Sequence, residues 1–370
     1  MPEEKKPLIL LAAGGTGGHL FPAEALATEL VNRGCRTALV TDARIASGDW
    51  AKRFPGDVTT LTAGTVTGAG FVAKAMGALK LAKGTLEARA LLARLNPDVV
   101  VGFGGYPTVP PILAASMKGI PTILHEANAV MGRANRFLAR RATLIATGFP
   151  SPNPEFPDKT VFSGNPVRKP VLLAAESPYQ APEPEGMLEL LVFGGSLGAS
   201  VMSNVVPAAM QQISPALRAR LSIVQQAREE DVKRVSRIYE ALGVKHEIAP
   251  FFADLPHRIA AAHLVIARAG AMTVTELSVI GRPSVLVPLP GSLDQDQATN
   301  AAVIVAAGGA ISVPQSAFTP VSLAELLERK MSSPERLAEM AAKAKSIGIS
   351  DAASRLAGHV FSVLSKHAKR

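Results

Sequence analysis

The sequence is poor in cysteine, in aromatic residues and in charge. Cys35 is the single cysteine among 370 residues. That excludes an internal disulfide framework and a cysteine-cluster metal site, and it fits a reducing compartment. Aromatic residues make up 5% of the chain, too few for the stacking platforms of a single-strand nucleic-acid binder. Charged residues make up only 19%, yet Lys and Arg (39) outnumber Asp and Glu (30), for a net charge of +9. Such a balance admits nucleic acid, an anionic lipid surface or acidic substrates as partners. The apolar run from Leu8 to Ala13 is too short to span a bilayer, and no signal-peptide cleavage pattern follows it. A chain made and kept in the cytoplasm is therefore expected, with any membrane contact peripheral.

What the chain has is apolar sequence throughout, 48% of its residues, so disorder is excluded and a substantial core is expected. At about 150 residues per domain the length suggests two domains. Short apolar runs alternate with amphipathic stretches. Residues 8–13, 37–41, 98–103, 122–125 and 143–147 read as buried parallel strands, with helical patterns such as 23–33 and 109–118 between them. Nine prolines between Pro150 and Gly186 break this texture. The series then restarts with strands at 188–193, 222–226, 263–267 and 284–287 and helices from about 199, at 229–242 and at 272–280. The expected fold class is α/β: two Rossmann-like, doubly wound domains facing a cleft. We place the first domain at 1–165, a linker at 166–186, the second domain at 187–348, and a C-terminal helix at 349–370 that returns to the first domain.

Each half opens with a strand, a glycine-rich turn and a helix. Gly14-Gly15-Thr16-Gly17-Gly18-His19 lets backbone approach an anion in front of a helix N-terminus. It is not a P-loop, because no Gly-Lys-Ser/Thr is present. A dinucleotide fingerprint would want Gly or Ala where Leu20 stands, and Asp42 is its remaining support. Gly104-Gly105-Tyr106-Pro107 could line the same cleft. In the second half, Gly194-Gly195-Ser196-Leu197-Gly198 mirrors the first turn, and also fits a serine nucleophile elbow with Asp254, His257 or His263 as partners. Arg268 to Glu276 then offers a diphosphate cradle at Gly270, Ala271, Met272, Thr273, Val274 and Thr275, with Glu276 able to accept both hydroxyls of a ribose, or to serve simply as a helix-capping carboxylate.

Taken in order, Gly14–Pro22, Gly104–Pro107, His125-Glu126-Ala127-Asn128, Gly164–Arg168, Gly194–Gly198, Arg268–Glu276 and Asp296–Asn300 resemble the MurG family of bacterial glycosyltransferases, from about residue 8 to residue 350. The resemblance implies a metal-free GT-B enzyme without a cofactor. It would transfer N-acetylglucosamine with inversion from UDP-GlcNAc to lipid I, the undecaprenyl-pyrophosphoryl-MurNAc-pentapeptide, giving lipid II for peptidoglycan. Carried over by position, it implies donor-sugar contacts at Thr16, Gly17, Gly18 and Asn128, UDP contacts at Arg168 and Ser196, and a uracil segment at Phe252. It also implies the 270–275 cradle, a ribose contact at Glu276, and sugar contacts at Gln297 and Asn300. The acceptor diphosphate would lie at Gly14, Gly15, Gly104 and Gly105. Two departures stand out: Ala127 follows His-Glu where the family commonly has Gln, and Asp294-Gln295-Asp296 replaces a basic or His-containing segment.

The reaction needs a general base, for which His19 comes first and His125 and Glu126 next. Asp294 and Asp296 have the spacing that other glycosyltransferases use for Mg²⁺, which makes a metal site the rival reading. A UDP-sugar epimerase of the same architecture is the alternative enzyme. Residues 70–95 mix apolar positions with Lys74, Lys80 and Lys83 in a helical pattern suited to an anionic interface. The resemblance further implies the cytoplasmic face of the bacterial inner membrane as the location and division or elongation proteins as further partners; no nucleic acid is expected.

Overall fold

The computed structural model describes residues 6–14, 16–61, 71–195, 198–292 and 295–368. The chain divides into two compact units, one of residues 1–168 with 350–370, the other of residues 169–349.

Among the described residues the first unit holds seven parallel strands: β1 (Leu8–Ala12), β2 (Arg36–Thr41), β3 (Asp57–Thr60), β4 (Val99–Gly102), β5 (Thr122–Glu126), β6 (Leu144–Thr147) and β7 (Thr160–Phe162). Their order is β3-β2-β1-β4-β5-β6-β7. In β1, Ile9 and Leu11 point into one apolar cluster while Leu8, Leu10 and Ala12 point into another, so an uninterrupted apolar run is what a strand covered on both faces requires. Helix Gly17–Asn32 packs against the C-terminal helix Ala352–Ala368, whose Leu356, Ala357 and Val360 complete the first cluster. Helices Phe71–Leu95, Val109–Met117 and Arg133–Ala139 cover the other face.

The second unit repeats the plan. Its strands are β8 (Leu188–Phe193), β9 (Leu221–Gln226), β10 (Lys245–Ala249), β11 (Leu264–Ala267), β12 (Ser284–Leu286) and β13 (Ala310–Ser312), in the order β10-β9-β8-β11-β12-β13. Each sheet therefore reverses direction between its first and fourth strands, β1/β4 and β8/β11, where open α/β sheets form their ligand sites. The strand exits are level: Ala12 pairs with Gly102, and Phe193 with Ala267.

Two expectations change. The nine expected strands are present, but β3, β7, β10 and β13 are additional, and all four are sheet edges. Their residues are half-exposed and so carry no apolar run to read. The stretch read as a linker contains helix Lys169–Ala174, which packs on helices Leu255–Ala261 and Ala271–Ile280, and it belongs to the second unit from Lys169 onward.

Candidate functional site

In the first unit the turns after β1 and β4 lie side by side. A side chain on Gly14 would collide with the Pro107 ring. Thr16 precedes helix Gly17–Asn32 in extended conformation, yet its hydroxyl makes no capping bond, so Gly17 and Gly18 open the helix as bare backbone. The His19 ring folds back to the turn, where Nδ1 lies 2.9 Å from the Gly14 carbonyl. A carbonyl only accepts, so Nδ1 carries the hydrogen and Nε2 of the neutral ring keeps its lone pair. That edge faces Gly104, where an added Cβ would come 3.3 Å from Nε2. With φ of +91° at Gly104 and +77° at Gly105, the backbone favours the glycine pair, and at Gly104 the imidazole packs closely as well. Buried Thr108 ties the two turns together by donating to the carbonyls of Ala12 (3.0 Å) and Gly104 (2.7 Å). Gly15 lies outside the described residues.

His125 and Glu126, the other candidate bases, are built into the interior. His125 is 0% exposed, its ring is tilted against Phe103, and its Nε2 lies 3.2 Å from the Gly164 carbonyl. Buried Glu126 accepts four hydrogen bonds. Oε1 takes the backbone N–H (2.9 Å) and the side-chain amide (3.3 Å) of Asn128, and Oε2 takes the N–H of Gly132 (3.0 Å) and Asn135 Nδ2 (2.8 Å). A carboxylate bonded in this way shapes the 127–132 loop. Asn128 is held by the same carboxylate.

Burial lowers the pKa of His19, opposed by its bond to Gly14 and by the negative charge of Glu126. Burial holds His125 down to about 4, against the Gly164 bond and with a further push from neighbouring His19. Arg168 stacks its guanidinium 3.6 Å above the Phe21 ring, which itself lies against Gly17, and its Nε is buried without a hydrogen-bond partner among the described residues.

In the second unit, Gly194 admits no side chain because a Cβ would strike the backbone of Ala199. Its N–H donates to Gln226 Oε1 at 3.1 Å. Ser196 lies outside the described residues. After β11, Gly270 precedes helix Ala271–Ile280 and offers no side-chain cap, so the amides of Ala271, Met272 and Thr273 open the helix without a partner inside it, as an anion would require; Val274 already bonds back to Gly270. Thr275 differs from expectation: it is buried and donates its hydroxyl to the Ala271 carbonyl at 2.9 Å. Glu276 is buried one turn into the helix.

Gln297 and Asn300 brace this turn from below. Gln297 Oε1 accepts from the N–H groups of Ala269 (3.3 Å) and Leu289 (3.0 Å), and Asn300, 0% exposed, donates to the Ala269 carbonyl at 3.2 Å. Asn300 is therefore floor, not lining. Phe252 is also buried, beneath the Arg258 guanidinium at 4.3 Å, whereas the preceding Phe251 is 70% exposed.

The residues of three rival readings have partners of their own. His263 stands at the N-terminal end of β11, where Nδ1 accepts from Glu189 N–H, so it lies at the far end of the sheet from the Gly194 turn. Asp254 is paired with Arg258. His263 and Asp254 are thus engaged with other groups. Asp42, the support for a dinucleotide, bonds the Ile45 N–H at the start of a short helix. Asp294 lies outside the described residues, and Asp296 receives its neighbour's Gln297 N–H at 2.8 Å.

Sequence reasoning passed over Thr108, Asn135 and Gln226. For Gln226 the signal was available: two amides, Gln225-Gln226, close an otherwise apolar strand.

Comparison with known proteins gives a consistent picture. The sequence model of the glycosyltransferase family 28 N-terminal domain matches residues 9–147, and that of its C-terminal domain residues 189–356. A Methylobacterium sp. (strain 4-46) protein is 56% identical over 360 residues, 96% of each chain. One from Rhodopseudomonas palustris (strain BisB18) is 54% identical over 362 residues, again 96% of each. Both are named UDP-N-acetylglucosamine--N-acetylmuramyl-(pentapeptide) pyrophosphoryl-undecaprenol N-acetylglucosamine transferase. Among solved structures, Acinetobacter baumannii MurG is similar with a TM-score of 0.78 and 30% identity, covering 97% of this chain and 100% of that one. A putative UDP-N-acetylglucosamine 2-epimerase from Listeria monocytogenes shares the fold, with a TM-score of 0.69, 14% identity and 98% coverage of both chains.

The neutral state of His125 should be visible in stability. Its pKa falls from 6.5 to about 4 on folding, so the unfolded chain binds the extra proton in that window and stability drops as pH falls through it. One group shifted this far contributes about 3 kcal/mol, lost by pH ~4, and His19 adds in the same direction. Urea denaturation across this range should show the loss, and His125→Gln should flatten it; an unchanged slope would contradict a buried neutral His125.

Proposed function

The chain belongs to glycosyltransferase family 28, in its MurG branch, and on that premise we propose that it moves N-acetylglucosamine from UDP-GlcNAc to lipid I, forming lipid II. One observation supports this most. Each unit ends its two central strands, at the point where the sheet reverses, in glycine turns leading to a helix N-terminus, and only the first unit's turn carries an imidazole. One unit is equipped for an anion and a proton acceptor, the other for a nucleotide.

In this reading lipid I places its diphosphate on the turns at Gly14 and Gly104–Gly105, with its attacking hydroxyl at His19 Nε2. The hydroxyl oxygen forms a bond to the anomeric carbon while the bond from that carbon to UDP breaks on the opposite face. The proton passes to Nε2, and the electron pair leaves with the diphosphate. A buried neutral imidazole suits this task, and the Glu126 charge favours the imidazolium that results. On the donor side, the amides of Ala271 to Thr273 meet the departing charge, with Arg168 and Ser196 beside the UDP. Amides fixed before the reaction need no reorganisation as charge develops. Glu276 takes the ribose hydroxyls, and Gln297, Thr16, Gly17, Gly18 and Asn128 the sugar. Turnover proceeds without divalent metal or a cofactor.

Lipid I lies in a membrane, and among the described residues no helix is long and apolar enough to cross one. Contact is peripheral, at the cytoplasmic face of the inner membrane. On helix Phe71–Leu95, Met76, Leu79, Lys80, Lys83 and Leu86 recur at helical spacing on one exposed stripe, with Leu79 70% exposed. The neighbouring helices add exposed Met117 and Phe137, flanked by Lys118 and Arg136. Apolar tips ringed by cations suit an anionic interface.

UDP release should require both UDP-GlcNAc and a lipid I analogue, and should persist in EDTA. Release without an acceptor would favour the epimerase, and loss in EDTA restored by Mg²⁺ would reveal a metal. His19→Ala should lower kcat by about 10² to 10⁴, and turnover retained within tenfold would remove it as the base. The protein should float with anionic vesicles, less so at high salt or after charge reversal at Lys74, Lys80 and Lys83. Absence of binding would refute the membrane face.

A further inference from the structure

β9 lies between β8 and β10, and its last residue, Gln226, is buried with its side chain directed to both neighbours. Oε1 accepts the N–H of Gly194, the first residue after β8, at 3.1 Å. Nε2 donates to the carbonyl of Pro250, the first residue after β10, at 3.0 Å. Adjacent strands run about 4.8 Å apart, so one amide at the end of the middle strand spans both loops.

Each loop is otherwise held from its own side. Gly194 packs against the backbone at Ala199, which leaves no room for a Cβ. Beyond Pro250, Phe252 is clamped under Arg258, which is fixed by Glu247 (2.7 and 2.8 Å) and Asp254 (2.8 Å). Ala227 N–H to the Ala249 carbonyl, at 3.1 Å, joins β9 to β10 but does not reach Gly194. The neighbouring Gln225 has a different task, accepting the Tyr239 hydroxyl at 2.5 Å inside the core.

We propose that Gln226 is a positioning residue that sets the distance between the Gly194 turn, which lies beside the donor's UDP, and the segment receiving its uracil ring. This rests on the UDP-GlcNAc reading above. The chemistry fixes the residue type: the Gly194 side requires an acceptor and the Pro250 side a donor, and only a side-chain amide presents both from one carbon. Gln226→Glu keeps the first bond and sets a carboxylate oxygen against the Pro250 carbonyl, whereas Gln226→Met removes both bonds at similar volume.

A residue that sets the distance between two subsites has a distinctive signature. UDP engages both subsites at once, and uridine engages only one. A ligand that must engage both subsites is weakened when one shifts against the other, and a ligand that engages only one is not. In the full-length protein, both variants should raise the KM for UDP-GlcNAc and the inhibition constant of UDP by about tenfold. Uridine binding and the KM for a lipid I analogue should stay within about twofold, and kcat at saturating donor should fall little. Equal weakening of uridine and UDP, or an unchanged donor KM, would overturn the proposal. If Gln226→Met does not fold, as judged by thermal melting, Gln226→Glu carries the same readouts. Wild-type protein that binds no UDP would instead overturn the transferase reading itself, a result seen before any variant is made.

Discussion

A strand covered on both faces can satisfy its backbone N–H and C=O groups only through its neighbours. With Ile9 and Leu11 buried toward one helix layer and Leu8, Leu10 and Ala12 toward the other, β1 has no freedom to slip against β2 or β4. β8 is held likewise between β9 and β11. The strand exits are consequently level, and the glycine turns at Gly14, Gly104, Gly194 and Gly270 begin one to three residues beyond such an exit. His19 reaches Gly104, and Gln226 reaches both Gly194 and Pro250, because the strands beneath them cannot shift.

The same constraint explains what the sequence made legible. Strands buried on both faces are written as apolar runs, so all the inner strands could be read, whereas β3, β7, β10 and β13 each have one unpaired edge and half-exposed residues that carry no such run. Glycine turns were legible as motifs, but not the reason for them. That Gly104 must lack a side chain to make room for the His19 ring is a contact across 85 residues of chain, and no local spacing encodes it. Side-chain direction was equally hidden. Sequence position keeps His125 and Glu126 as candidates behind His19, and packing turns them inward. Thr275 and Asn300 lie within the right motifs but turn their polar groups to the protein's own backbone.

The electrostatics of the first unit follow from this inward packing. Glu126 could be a base only if one oxygen were available, and four donors occupy both. Its charge nevertheless remains, close enough to oppose the burial that lowers the pKa of His19. A carboxylate fixed in the loop and an imidazole fixed at the turn thus divide the work between them. One braces the loop by hydrogen bonding, and the other has its pKa lowered by burial.

Stability and function pull apart at just these positions. Thr16 has the conformation and the hydroxyl of a capping residue, yet makes no cap bond, and Gly270 has no side chain to offer one. A missing cap costs about 1 kcal/mol. Glycines at positive φ add backbone entropy to the unfolded state, and His125 keeps a buried Nδ1 without a partner among the described residues. By contrast Thr319 and Ser214, which begin helices remote from the glycine turns in sequence, make their caps in full. Uncapped helix ends occur elsewhere too, at Ser333 and Arg228, so what sets the strand exits apart is the combination of uncapped ends with glycines at positive φ. The diphosphates of donor and acceptor are the groups that would complete these helix ends, so binding and the final increment of local order are the same event.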